Sequence, residues 1–256
     1  MALGASNRNG RPLVALQLYT LRDATAQDMI GTLRRVAEMG YEGIELAGNG
    51  NATTEEITSA LHELNLQCVG SHTGIEALQN DLPNVIQSAN WLGHRHVVCP
   101  YIGEEWRSEE GYQKLAALLS DIGAQLRREG LQMCYHNHAF EFEKYNGQYG
   151  LDILLGSSDP DSLHAEIDTF WVQKGGEEPG AFIEKYEGRT PLIHLKDMTP
   201  DGNFAPVGEG TMNWDTVFEA SDGNAVAYIV EQDQCEGDPF ESVQASIKNL
   251  KNWGKL

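Results

Sequence analysis

The chain alternates short apolar runs with longer stretches of helical periodicity. Eight runs occupy residues 13–19, 43–47, 67–72, 96–100, 132–138, 164–168, 192–196 and 227–231. Most are apolar until their C-terminal ends, as expected for strands of a parallel sheet buried on both faces. Between them Met29, Leu33, Val36 and Ala37 share one helical face, as do Leu115, Leu118, Leu119, Ile122 and Leu126. Thr53 and Glu56 have capping-box spacing, and Asp238 precedes Pro239 at a first helical position. Gly40, Gly93 and Gly130 each stand shortly before a run, where a left-handed residue ends a helix. The segments after the fifth and seventh runs predict short helices.

Eight strands alternating with helices predict a closed (β/α)8 TIM barrel, a single domain over residues 13–256 after a loose polar arm at 1–12. The competing arrangement is an open doubly wound sheet. It fits less well, because the first run continues into Thr20, Leu21, Arg22 and Asp23 rather than a glycine-rich phosphate loop. A length of 256 residues suits one such barrel.

Composition narrows the partners. The apolar fraction of 41% supplies a core, and no run approaches the roughly 18 apolar residues that would span a membrane. With 38 acidic against 18 basic residues the net charge is −20. That charge repels nucleic acid and anionic membrane surfaces. Cys68, Cys99, Cys134 and Cys235 form no CxxC pair, and three lie inside apolar runs. They predict free buried thiols and a cytoplasmic protein, and a homo-oligomer is compatible with all of this.

In a barrel of this type the active site lies at the C-terminal ends of the strands. The first run delivers Gln17 and Tyr19 there, the second Glu45, and the third Ser71 and His72. The fifth ends in His136, Asn137 and His138, followed by Glu141; the sixth ends in Asp168, followed by Trp171. The seventh carries His194, Lys196 and Asp197, and the eighth Glu231, Gln232 and Asp233. Carboxylates and imidazoles on separate strands are how a barrel builds an open divalent-metal site, for Mn, Co, Zn, Fe or Mg. Strand alternation puts His136 with His138, and His194 with Lys196. Asp168, His194 and Glu231 are the leading ligands, with His136 and Glu141 competing for the fourth position.

Other polar residues have plainer readings. His96 opens its run, at the stability end of the barrel. Asp197 and Asp233, just past strand ends, read as caps of turns as readily as site groups, and Glu45 as a rim charge. Phe170 and Trp171 read equally as packing or as a face for a sugar ring. In residues 206–210, Gly208 and Gly210 permit close backbone approach to a ligand, but no Lys, Ser or Thr there completes a phosphate loop.

The segments LQLYTLRD (16–23), GYEGIEL (40–46), YHNHAFEF (135–142), EIDTFWVQKGG (166–176), IHLKDM (193–198), FAPVGEG (204–210) and YIVEQD (228–233) together resemble the xylose-isomerase-like sugar isomerase/epimerase superfamily. Inosose dehydratases and keto-glycoside lyases are among its members. The resemblance implies a barrel with one catalytic divalent metal, manganese foremost, held from the fifth to eighth strands. Asp168, His194 and Glu231 match three ligands. Many relatives carry a Glu on the fifth strand; here His136 stands there, which departs from the paired-Glu pattern of the epimerases.

On this basis His136 is the expected fourth ligand. His138 is expected to be the base and Lys196 a proton donor or oxyanion partner. Glu141 resembles a substrate-contacting acid of the epimerases, and Gln17, Glu45, His72 and Trp171 are expected around a carbohydrate substrate. The expected reaction is proton abstraction α to the carbonyl of a keto sugar, by an isomerase or epimerase. The alternative is β-elimination from an inosose or 3-keto-glycoside. A metal-dependent nuclease is disfavoured by the acidic charge, and a barrel that only binds by the intact rim.

Overall fold

Strand β1, Leu13–Gln17, is buried at every position because one face lines the barrel and the other meets helices. The same holds for β2 (Gly43–Leu46) and β4 (His96–Cys99). Strands β3 (Gln67–His72), β5 (Gln132–His136), β6 (Leu163–Asp168), β7 (Leu192–Leu195) and β8 (Ala227–Val230) complete the set in a computed structural model that describes residues 10–256. Each strand pairs parallel with its neighbours in chain order, and β8 closes the sheet on β1. The architecture is a TIM barrel in one domain.

Alternation along the strands separates two cores. Leu13, Ala15, Val69, Val98, Cys134, Leu192, Ala227 and Ile229 fill the barrel interior. The intervening Leu16, Ile44, Val97, Met133, Ile193 and Val230 join the outer core under the helices. The polar site residues belong to the inward set, beyond this apolar plug at the C-terminal end.

Local signals act where the chain placed them. Thr53 and Glu56 cap α2 (Thr54–Leu64) reciprocally, at 3.2 and 2.8 Å. Asp238 Oδ1 accepts from Phe240 N at the start of the last helix, Pro239–Asn252. Gly40 and Gly93 are left-handed C-caps, of α1 (Arg22–Met39) and the helix Leu82–Leu92. The helix after β5, Gly150–Ser157, and that after β7, Trp214–Ser221, are short. Several runs overshoot their ladders: Tyr19 lies in a 3-10 turn, and His138, Lys196 and Glu231 follow the last paired residues.

Of the arm expected at 1–12, residues 1–9 lie outside the described residues. Its end is pinned: Arg11 meets both Glu42 oxygens, at 2.8 and 2.9 Å. All four cysteines are free, three of them buried. No described helix is long and apolar enough to cross a membrane.

Candidate active site

The mouth of the barrel holds two stacked layers of polar groups. In the upper layer His136, Asp168, His194 and Glu231 come from four successive strand ends, and their donor atoms lie within 4.8 Å of one another. His136 Nε2 is 3.8 Å and His194 Nδ1 3.9 Å from Asp168 Oδ2, and His194 Nδ1 is 2.8 Å from Glu231 Oε2. The backbone fixes this spacing. Asp168 pairs with His194 in register, and Thr169 Oγ1 donates to the carbonyls of His194 and Lys196. Asn137, turned away from the mouth, accepts from Asp168 N at 3.0 Å and ties β5 to β6.

The lower layer centres on Glu166. Its Oε1 lies 2.8 Å from His72 Nε2, 3.0 Å from His136 Nδ1 and 3.0 Å from His194 Nε2. Glu45 Oε2 adds contacts to His194 Nε2 at 2.8 Å and His72 Nε2 at 3.3 Å. Gln17 Nε2 donates to the same oxygen at 2.8 Å. Gly70 makes room here: a Cβ on it would stand 2.7 Å from Glu45 Oε1. His136 and His194 therefore turn one ring nitrogen up to the mouth and the other down to a carboxylate. A metal-binding histidine is commonly held and oriented in this way.

Lys196 enters the upper layer from β7. Its fully buried ammonium lies 2.9 Å from Asp168 Oδ2, 2.8 Å from Glu231 Oε2 and 2.9 Å from Asp233 Oδ1. Burial opposes the Lys196 charge, but the three carboxylates outweigh it and hold its pKa above the ordinary lysine value. Burial also raises Glu231, but Lys196 and His194 prevail and hold it well below the carboxylate range. Asp168 goes the other way: burial pushes it up to about 6 despite Lys196. Burial lowers His136 strongly, assisted by the neighbouring His194. His72 and His194 are raised, because Glu45, Glu166 and Glu231 overcome their desolvation.

His138 stands beside this cluster in an aromatic wall. It stacks on Phe140 at 5.6 Å between centroids and lies 5.2 Å from Trp171 and 5.4 Å edge-on from Tyr101. Phe170 and Phe204 extend the wall, and Lys196 Nζ is 5.6 Å from the Trp171 ring. Burial pushes the His138 pKa down to about 2, so the ring is neutral. His138 Nδ1 and Trp171 Nε1 are buried without a partner. A groove of about 380 Å³ opens beside Asp233, with Thr20, Arg22 and Cys235 in its walls.

The structure brings His136, His138, Asp168, His194, Lys196, Glu231 and Trp171 together, and separates others from the rim. Glu141 does not reach the cluster. Its Oε1 accepts from Tyr135 OH at 2.6 Å and its Oε2 from His138 N at 2.8 Å. Tyr135 faces the outer core, so Glu141, expected as a catalytic or ligand group, lies buried behind β5, where it holds the His138 backbone. Gln17 and Glu45, expected at the substrate and as a rim charge, are completely buried in the lower layer. His72 joins them there, half-buried.

Asp197 is a loop organiser. Its carboxylate accepts from Gly208 N, Gly210 N, Met212 N and Trp214 Nε1 at 2.8–3.2 Å. Two amides that could have cradled a phosphate in 206–210 are thus already used. Gly210 is obligatory, since a Cβ there would lie 2.2 Å from Asp197 Oδ1. Asp233, by contrast, accepts from Lys196 Nζ at 2.9 Å. His96 Nδ1 bonds the Val69 carbonyl at 2.8 Å, a structural role.

Sequence reasoning missed Glu166. Its signal was the two-residue period of the strand, which puts it on the inward face with Asp168.

Three comparisons bear on this geometry. The profile of the xylose isomerase-like TIM barrel family matches residues 33–252. An inosose dehydratase of Clostridium beijerinckii is 25% identical over 171 residues, covering 58% of this chain and 57% of its own. The chain thus spans little more than half the length of this curated relative. A sugar phosphate isomerase/epimerase from Parabacteroides distasonis superposes with TM-score 0.80 at 22% identity, over 98% of both chains. The IOLI protein, solved with a zinc atom, superposes with TM-score 0.71 at 13% identity, over 93% of this chain and 97% of its own. These two structures share the fold.

Proposed function

The chain belongs to the xylose isomerase-like TIM barrel family, and on that premise we propose that it is a divalent-metal-dependent enzyme that abstracts the proton α to the carbonyl of a keto sugar or keto-glycoside. The observation that carries the reading is the upper layer, four donors from four strand ends beside a neutral imidazole and an aromatic wall. His136, Asp168, His194 and Glu231 would hold the cation. They suit it, because mixed imidazole and carboxylate donors at a barrel mouth leave positions open for substrate. Asp168 Oδ2 is also fully buried and accepts no aligned hydrogen bond, although Lys196 lies near. Manganese, cobalt and zinc all fit such a donor set. The chemistry a bound cation supplies is Lewis-acid polarisation of the substrate carbonyl.

The chain's own residues do the rest. Trp171 and Phe204 offer apolar faces to the C–H side of the sugar. His138 takes the proton: the C–H bond breaks, its electron pair moves into the enolate, and the imidazole becomes imidazolium. Burial keeps His138 neutral, so its lone pair is available to take the proton. Lys196 faces the developing oxyanion with a fixed positive charge.

Within this class, β-elimination is favoured over epimerisation. The enolate electrons expel the β-substituent, and the proton on His138 goes to the departing oxygen. The inosose dehydratase resemblance supports this outcome. So does the fifth strand, which offers His136 and His138 where paired-acid epimerases need a carboxylate. The test is incubation of metal-loaded protein with a panel of keto sugars, inososes and 3-keto-glucosides in heavy water. Proton NMR is expected to report an unsaturated product with one of them; no product and no exchange with any would overturn the reading.

A further inference from the structure

We propose that the lower layer is itself a metal position: a three-histidine, one-carboxylate site formed by His72, His136, His194 and Glu166. The four come from β3, β5, β6 and β7, and their donor atoms lie within 4.8 Å of one another. Three imidazole nitrogens converge on Glu166 Oε1 at 2.8–3.0 Å. The other oxygen of that carboxylate, Oε2, is completely buried and has no partner, and the same is true of Glu45 Oε1. Unpaired carboxylate oxygens in such a place are costly, and a cation among them removes the cost.

The two layers differ in what already balances their charge. In the upper layer the Lys196 ammonium sits on Asp168 and Glu231. Among the described residues no lysine or arginine pairs with Glu45 or Glu166, whose ionic partners are imidazoles alone. The donors differ too. Three nitrogens and one oxygen favour zinc and cobalt in four-coordinate geometry, whereas the oxygen-richer upper set admits manganese and magnesium.

The positions are alternatives, because they share two rings through opposite nitrogens. His136 turns Nδ1 down and Nε2 up; His194 turns Nε2 down and Nδ1 up. A neutral imidazole has one lone pair to give, so a cation held below leaves N–H groups facing Asp168 and Glu231 above. The lower site therefore competes with the catalytic position for zinc-class ions, and it stands whether or not the upper layer performs the proposed chemistry.

X-ray absorption on the chelator-stripped, full-length chain reloaded with one equivalent of zinc decides the matter. Three imidazole ligands are expected. Two imidazoles with a majority of oxygens would overturn the lower site and leave the upper one intact, and the absence of stoichiometric binding would overturn both. Affinity measured with zinc and cobalt gives an independent check. His72→Gln is expected to weaken zinc binding more than about 100-fold, beyond the loss caused by removing an outlying hydrogen-bond partner of a ligand. Asp168→Asn is expected to change it only a few-fold. Cobalt bound to the wild type is expected to give the intense visible band of four-coordinate geometry, and His72→Gln to lose it. The reverse pattern, with Asp168→Asn the damaging change, would refute the proposal.

Discussion

Glu166 Oε1 lies 3.0 Å from Nδ1 of His136, and this contact turns the opposite nitrogen of the ring towards Asp168 at the barrel mouth. The two residues face each other in register across β5 and β6, so the barrel backbone sets the orientation before any ligand arrives.

Removing the Glu166 charge leaves three imidazoles converging on an amide. Losing one partner of a buried ionic group costs about 3–5 kcal/mol. Glu166→Gln is therefore expected to lower stability by about 3 kcal/mol in the metal-free protein. Urea unfolding checks it, and an unchanged midpoint would mean that Glu166 is not the hub of the layer.

Lys196→Met strips the cation from Asp168, Glu231 and Asp233. A loss of about 3 kcal/mol or more is expected without metal. Saturating manganese is expected to restore more stability to the variant than it adds to the wild type, because the cation then offsets carboxylate repulsion as well. Equal metal-induced increments in thermal midpoint would argue that Lys196 and the cation act on different groups.

Glu141 makes stability depend on pH. Burial raises its pKa from the ordinary 4.5 to about 7, so the folded protein holds this proton more tightly than the unfolded chain. Its stabilising contribution is complete below about pH 4.5 and is lost as pH rises through about 7. At ~1.4 kcal/mol per pKa unit the difference is worth about 3 kcal/mol. Glu141→Gln is expected to gain stability relative to the wild type by up to about that amount between pH 5 and 8. Parallel pH–stability curves would show that Glu141 titrates normally.

Asp197 gathers the amides of Gly208, Gly210 and Met212, so the loop should loosen without it. Hydrogen bonds to a charged acceptor are worth about 1.5–3 kcal/mol each. Asp197→Asn is expected to speed hydrogen exchange at these three amides by about tenfold or more, with strand amides unaffected. Exchange at wild-type rates would place the hold on the loop elsewhere.

Much of this was legible along the chain. All eight strands are the apolar runs of the sequence, because a barrel strand buried on both faces must be apolar until it reaches the polar mouth. Asp168, His194, Lys196 and Glu231 were legible for the same reason: each interrupts or ends such a run. Glu166 was obscured because it sits inside the run, where a charge has meaning only through partners on β3, β5 and β7. The three carboxylates around Lys196 likewise depend on barrel closure, which no spacing reports. The position of Glu141 was hidden because only four residues separate it from His136, yet the 3-10 turn Phe140–Phe142 swings it behind β5 to Tyr135. The depth of Gln17 and Glu45 was hidden too, since alternation gives the face of a side chain but not its layer.

The proposed reaction cleaves a C–H bond α to a carbonyl at the upper layer. It is tested most directly with a keto sugar or 3-keto-glucoside that the protein converts, carrying deuterium at that carbon. Metal-loaded wild type is expected to release the label, through His138 and the departing oxygen, to water as product forms, more slowly than it releases protium, and chelation is expected to stop it. Conversion with the label retained at its original carbon, or label release undiminished by chelation, would rule out metal-assisted proton abstraction at the upper layer.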